Sequence, residues 1–302
     1  MKYSGLYFSL ILFFLSSCIK KIDYKLKDIP SQLVISGIFT PDSLVKVYVS
    51  SAKTLFDTNA IMIDNAEVLF YQNNGLLDTF IYMGKGLYML PNNFYPIEGR
   101  TYKIVVNAKG YEQITAQSYI PVLNSNYSLK VTYPYKYDQN NESITLFEIT
   151  IKDFSIDPNY YEFVLFNKEF TGYSYAHVNM KSDDNILKEE GDIPYSPPSI
   201  LISDKHFNEH TTTIRFELFE FGFGEISSPA NNIYYSLRSV SESYYKYKKY
   251  LLRHKYNQNS NDYLNDPLHL LFSGEPTNMY SNVTNGYGVV VGYSGTLKQI
   301  IL

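Results

Sequence analysis

The chain has 302 residues, and its 26 Lys plus Arg against 30 Asp plus Glu give a formal charge of −4. That charge is too small and too dispersed for an electrostatic nucleic-acid footprint, so DNA and RNA are set aside as partners. The 31 Tyr and 19 Phe, with no Trp, favour strands and amphipathic surfaces and point to a β-rich body with many half-buried rings.

The N-terminus carries Lys2, then an apolar run from Leu6 to Leu15, then Ser16, Ser17 and Cys18. A membrane-spanning helix needs about 20 apolar residues, so this shorter run reads as an export signal. Leu15-Ser16-Ser17-Cys18 resembles the lipobox of bacterial lipoproteins, and Cys18 is the only cysteine in the chain. The resemblance implies that residues 1–17 are a signal peptide cleaved before Cys18. It also implies diacylglycerol on the Cys18 thiol and a further acyl group, of the palmitate kind, on its new amino group. Several acyl chains hold a protein to lipid far more firmly than one. With no cysteine after position 18, the mature body contains no disulfide and rests on its hydrophobic cores.

Residues 18–30 then form the lipid anchor and tether. Lys20, Lys21, Lys25 and Lys27 stand against Asp23 and Asp28 with no hydrophobic period. In Bacteroidota, lipoproteins sent to the outer face often carry acidic residues just after the acylated cysteine, and here Lys20-Lys21 stands instead. Periplasmic and cell-surface facing therefore both stay open.

From residue 31 to 122 the pattern has period two. Leu33, Ile35 and Phe39 alternate with small or polar neighbours, as do Val45, Val47 and Val49, followed by Val68 and Phe70. Asn74-Gly75 marks a hairpin, because both residues tolerate positive φ. Tyr102, Ile104, Val106 and Ala108 make a further strand, and Gly110 turns the chain into Glu112 to Ile120. About seven short strands predict an N-terminal β-sandwich, Ig-like or transthyretin-like. Pro121 to Asn126 reads as a boundary.

The second region, 123–302, is expected to be a larger β-rich domain. Strands are predicted at Leu129–Tyr133, Ile144–Ile151, Tyr160–Asn167, Thr211–Phe221 and Asn232–Ser239. The acidic, proline-bearing stretch 181–198 between them reads as a long exposed loop that could meet a metal or a partner. One amphipathic helix is predicted near 240–256, with Ser239 and Glu242 as its capping box. Its apolar face would carry Val240, Tyr244, Tyr247 and Leu251, with Lys246, Lys249 and Arg253 elsewhere. A short strand at Leu268–Phe272, a stretch containing Val289-Val290-Val291 and a last strand at Leu297–Leu302 complete the reading. No repeat of fixed period is present.

The residues Tyr280-Ser281-Asn282-Val283-Thr284-Asn285-Gly286-Tyr287-Gly288-Val289, after Pro276, resemble the ending of Bacteroidota lipoproteins grouped as domain of unknown function 4249 (DUF4249). The lipobox, the strand Leu33 to Ile38, Thr40-Pro41-Asp42 and the helix Tyr244 to Leu252 extend the resemblance over nearly the whole mature chain. It implies an outer-membrane lipoprotein commonly encoded beside a TonB-dependent receptor, and hence an accessory to such a channel. It supplies no catalytic residues. Asn285-Gly286 and Gly288 themselves read as a tight turn needing positive φ or close backbone approach.

Chemistry finds few footholds. His206 and His210 stand four apart but precede a strand and lack the glutamate of the His-Glu-x-x-His pattern. Asp183, Asp184, Glu189, Glu190 and Asp192 are explained by a solvated loop, against carboxylate catalysis or calcium binding. There is no Gly-x-Ser-x-Gly elbow and no phosphate loop ending in Gly-Lys-Ser or Gly-Lys-Thr. The expectation is a mainly β, non-enzymatic lipoprotein without cofactor or metal, held to membrane lipid through Cys18. It would act as an accessory or ligand-binding subunit of a TonB-dependent transport system. The alternative is an envelope scaffold that binds no small ligand.

Overall fold

The computed structural model describes residues 31–52, 61–141, 143–168, 175–177, 180, 182, 184–189, 199–219, 233–258 and 277–300. Alternation of apolar and polar residues makes the first region a run of short strands: β1 (Leu33–Phe39), β2 (Lys46–Ser51), β3 (Ile61–Met62), β4 (Glu67–Gln72), β5 (Gly75–Thr79), β6 (Ile81–Gly84), β7 (Leu87–Met89), β8 (Arg100–Asn107) and β9 (Ile114–Ile120). The second region follows with β10 (Tyr127–Tyr137), β11 (Ser143–Lys152), β12 (Tyr160–Lys168), β13 (Tyr175–His177), β14 (Ser199–Ser203), β15 (Thr211–Phe219) and β16 (Ile233–Val240). The chain ends with β17 (Val283–Thr284), β18 (Tyr287–Ser294) and β19 (Lys298–Gln299). A short helix, Asn185–Glu189, precedes β14, and the long helix Glu242–Gln258 follows β16. The fold is mainly β, as expected. Among the described residues, no helix is long and apolar enough to cross a membrane.

One sheet of eleven strands organises the body. Its path is β13-β12-β16-β18-β1-β2-β7-β6, with β14 beside β12, β19 beside β16 and β3 beside β2. The five-stranded sheet β17-β9-β8-β4-β5 shares a core with its β1, β2 and β7 region. There Ile35, Val47, Val49 and Tyr88 meet Phe70, Tyr102, Ile104 and Ile120, and the Phe70 and Tyr102 rings stack at 5.2 Å. The three-stranded sheet β10-β11-β15 covers the other end, where Phe147, Ile149, Phe216 and Leu218 meet Tyr161, Phe163, Leu165 and Leu237. On the opposite face of the long sheet, Tyr244, Tyr245 and Leu252 of the long helix pack on Leu201, Val240, Val289 and Val291.

The chain closes on itself through β18, which pairs in parallel with β1 from Val34↔Tyr287 to Phe39↔Gly292. Val290 enters the first core while Val289 and Val291 lie under the helix. Burial on both faces explains the unbroken valine run. β17 also pairs with β9, so strands from the end of the chain cross the expected division at residue 122. Residues Ser31–Leu302 form one compact unit.

Local details differ from the sequence reading in instructive ways. The β4–β5 hairpin turns at Asn73 and Asn74, with φ of 48° and 66°, and Gly75 pairs with Gln72 as the first residue of β5. Two asparagines tolerate the left-handed region, and the register of β4 with β8 fixes which pair turns. The long helix is capped by Ser241, whose Oγ accepts the Tyr244 N–H at 3.2 Å. Glu242 instead reaches Lys246 at 2.8 Å, and Ser239 accepts the Asn124 N–H at 2.9 Å. Within 181–198, residues Asn185–Glu189 are helical, with Leu187 and nearby Met180 buried in the second core, so this part is packed rather than exposed loop. The last strand is only Lys298–Gln299, and the strand expected at Leu268–Phe272 lies outside the described residues.

Candidate functional site

The polar centre of the molecule lies between the long sheet and the long helix. In β12, Tyr161, Phe163 and Leu165 point into the second core, which turns Glu162 toward the helix. Its partner across the ladder is Arg238 of β16. From the helix, Tyr244 and Lys248 stand four residues apart and so share a face over that pair.

Glu162 is 0% exposed. Its Oε2 accepts hydrogen bonds from Arg238 Nη1 at 2.8 Å and from the Tyr244 hydroxyl at 2.7 Å. Lys248 Nζ lies 3.3 Å from Oε1, close enough for an ion pair although the angle is poor for a hydrogen bond. Burial alone would raise the carboxyl pKa, but the Lys248 and Arg238 charges outweigh it and hold Glu162 below the ordinary carboxylate range. Burial, with the Glu162 charge adding to it, pushes the Tyr244 hydroxyl well above its usual value.

Arg238 leads from this buried cluster to the surface. Its guanidinium carbon lies 4.6 Å from the Tyr293 ring centroid and 5.6 Å from that of Phe166. Beside it opens a cleft of about 280 Å³, lined by Asp42, Phe166, Ser236, Arg238, Tyr293, Gly295 and Leu297. A guanidinium carries five N–H donors in a fixed fork, and the Glu162 pair sets its orientation. The cleft thus offers a cationic donor, a carboxylate and a hydroxyl beside aromatic walls.

The candidates from the sequence fall elsewhere. Cys18 lies outside the described residues, as do Asp183, Glu190 and Asp192. Asp184 is structural: its Oδ1 accepts the Ile186 N–H at 2.9 Å and its Oδ2 the Arg215 N–H at 3.2 Å. Glu189 ends the short helix. His206 and His210 are both exposed, and His210 Nδ1 meets the Asn208 carbonyl at 2.6 Å. Among the described residues no group of three His, Cys, Asp or Glu is arranged to hold a metal. Nearby, Asp153 and Asp204 are buried around Asn159, whose N–H Asp204 Oδ2 accepts at 2.6 Å. Burial, then repulsion from Asp153, raises the Asp204 pKa.

The Asn285 to Gly288 segment is a structural joint. Asn285 has φ of 61° and Gly288 of 109°, and a Cβ on Gly288 would collide with the Ile35 carbonyl oxygen. Asn282 pins the same region by donating to Gln117 O at 2.9 Å and Val290 O at 2.7 Å while accepting the Val290 N–H at 3.0 Å.

Sequence reasoning did not single out Glu162, Arg238 or Lys248. The available signal was a lone acid inside an apolar strand, Tyr-Tyr-Glu-Phe-Val-Leu-Phe, which either faces water or needs buried partners.

No curated protein matches the sequence significantly. Among solved structures, a DUF4785 family protein from Legionella pneumophila is similar at 12% identity and a TM-score of 0.25, over 71% of this chain and 54% of that one. Salmonella alpha-2-macroglobulin, as a Y1175G mutant, is similar at 10% identity and 0.26, over 72% and 14%. The BSP domain of a biofilm associated protein gives 9% and 0.22, over 92% and 62%. The chain therefore spans about half the length of the Legionella protein and a small part of the macroglobulin. Likenesses this shallow carry no argument about activity. The family comparison is of another kind: the model for domain of unknown function (DUF4249) matches residues 19–299, nearly the whole chain, and the chain belongs to that family.

Proposed function

We propose that this is a lipid-anchored, non-enzymatic ligand-binding protein of the outer membrane, serving as an accessory subunit of a TonB-dependent transport system. The observation that carries the binding reading is the cleft at Arg238, where a guanidinium held by a buried carboxylate stands between aromatic rings beside Asp42 and Ser236. Its volume of about 280 Å³ lies at the small end of ligand pockets, and its mix of donors, acceptor and ring faces suits a small polyhydroxylated ligand. The lipobox-like Leu15 to Cys18 and the start of the compact unit at Ser31 support a body carried on a tether.

The test is a thermal-shift titration of the mature body against a panel of mono- and disaccharides and sugar acids. A ligand that binds only the folded state at 100 times its Kd adds about 2.7 kcal/mol. Arg238→Lys should abolish the shift, because an ammonium cannot reproduce the stacked fork. A panel with no saturable shift would refute the ligand-binding reading. The accessory role is tested separately by co-purification of a TonB-dependent receptor through a C-terminal tag, and reproducible absence of the receptor refutes that part.

A further inference from the structure

The long sheet has two unlike halves on its outer side. Over β12, β14, β16 and β18 the long helix covers it. Over β1, β2, β3, β6 and β7 the described residues leave it open, and there most of its outward positions are apolar. Ladder pairing places Tyr287, Val34, Ser50 and Met62 in one row and Ser36, Tyr48 and Leu87 in the next. A third row holds Lys46, Met89 and Ile81. Tyr48, Met62, Ile81 and Tyr287 are 48–52% exposed, and Ile38 at the end of β1 is 45% exposed. Lys46 is the one charged residue at these outward positions. The open face of a sheet is normally polar, and a contiguous apolar patch marks a contact surface.

We propose that this face lies on the lipid bilayer to which the chain is tethered. The inference rests on the reading of Cys18 as the anchor and adds an orientation of the body. The described chain begins at the edge of the same sheet. Ser31 Oγ pairs with Ser51 Oγ at 2.7 Å, and Gln32 O accepts the Ala52 N–H at 2.7 Å, so the chain starts at the end of the β1–β2 ladder, one residue pair from Val34 and Ser50 of the outward row. From Cys18 to Ser31 a fully extended chain reaches at most roughly 45 Å, which keeps the face at high effective concentration beside its membrane. The charges agree: four lysines stand against two aspartates between Ile19 and Pro30, suited to anionic headgroups. Tyr48 and Tyr287 are the ring type enriched at bilayer interfaces, and Lys46 can lay its stem on apolar surface while its ammonium stays in water. A second copy of the chain would also cover the face, but neither the tether's point of entry nor its basic charge would then have a role.

The test uses the acylated full chain in vesicles of phosphatidylethanolamine with an anionic phosphatidylglycerol fraction. Acylation consumes Cys18, so a single introduced cysteine carries the only thiol dye. Tyr48→Cys and Met62→Cys report on the face, and Gln117→Cys, exposed on the five-stranded sheet, serves as control. All three sites are at the surface, so folding is preserved. Quenching by lipid-borne spin labels should be several-fold stronger at positions 48 and 62 than at 117. In the unacylated mature body, Tyr48→Ser with Met62→Ser and Ile81→Ser should weaken partition into the same vesicles about tenfold or more, a factor equal to about 1.4 kcal/mol. Equal quenching at all three positions, with the protein still on the vesicles, would overturn the orientation and leave the anchor intact. Failure of the chain to float with vesicles would overturn the anchor and the orientation together. Dye shifts at 48 and 62 that grow with protein concentration in lipid-free detergent would overturn the proposal in favour of a second copy.

Discussion

Replacing Arg238 by Met removes one of two cations that hold Glu162 ionised in a fully buried position. Breaking a buried ion pair on one side costs about 3–5 kcal/mol, because the remaining charge is left in a poor solvent. Lys248 at 3.3 Å and the Tyr244 hydroxyl at 2.7 Å remain, so the expected loss at neutral pH is near the lower figure, about 3 kcal/mol. For a body of this size that lowers Tm by about 6–12 °C. The pH dependence carries the sharper test. In the native protein Glu162 titrates below its unfolded value, so its contribution is complete above about pH 4.3 and is lost as pH falls below that. Without Arg238, burial dominates and the folded pKa moves above the unfolded one. Stability then declines as pH rises from about 4.3 toward the new folded pKa. The deficit relative to the native chain should therefore be greatest at pH 7 and shrink on acidification toward pH 4. Urea denaturation across that range measures it, and Glu162→Gln in the Arg238→Met background should restore part of the loss. A deficit under about 1 kcal/mol at pH 7, or one that does not shrink on acidification, would refute this account of the cluster.

Gly288→Ala should cost roughly 3 kcal/mol or more in urea denaturation, since the position combines φ of 109° with a backbone approach that leaves no room for a Cβ. Ser241→Ala removes the helix cap and should cost about 1 kcal/mol, with faster hydrogen exchange in the first turn, whereas Glu242→Ala should cost only a few tenths. Asp204→Asn keeps an acceptor for the Asn159 N–H but removes a carboxylate whose folded pKa is raised. Native stability from that group falls as pH rises above about 3.9, so the variant should gain on the native chain over that rise, and parallel slopes in the two would count against the burial argument.

The strands were legible because their cores impose period two. β11, β12, β15 and β16 all lie within a few residues of the runs expected from Ile144, Tyr160, Thr211 and Asn232. What the pattern could not supply was pairing between distant segments. The parallel ladder of β1 with β18 joins residues about 250 positions apart, and only the run Val289-Val290-Val291, buried on both sides, hinted that this strand is interior. Register errors had local causes. Ser239 and Ser241 both offer a capping hydroxyl, and the ladder Tyr160↔Val240 carries the strand two residues further before the helix can begin. Of the rows the helix offers, the sheet takes Tyr244, Lys248 and Leu252 at spacings of four, so Lys248 lies over the sheet.

That choice of helix face links the fold to the candidate site. The face read from the periodicity runs through Val240, Tyr244, Tyr247 and Leu251, with Lys246, Lys249 and Arg253 elsewhere. The observed helix instead brings Lys248 down onto Glu162, and the same carboxylate orients Arg238 toward the cleft. A buried acid in a strand is costly unless several partners reach it. Here they come from the neighbouring strand and from two consecutive turns of the helix. The cluster therefore ties helix position to the geometry of the cleft, because a change that lifts the helix exposes Glu162, frees Arg238 from its fixed orientation and loosens the wall formed by Tyr293, whose ring meets Tyr244 edge-on at 5.7 Å. Ligand affinity and helix protection from hydrogen exchange should accordingly fall together in Tyr244→Phe, which removes one hydrogen bond and leaves the apolar packing in place.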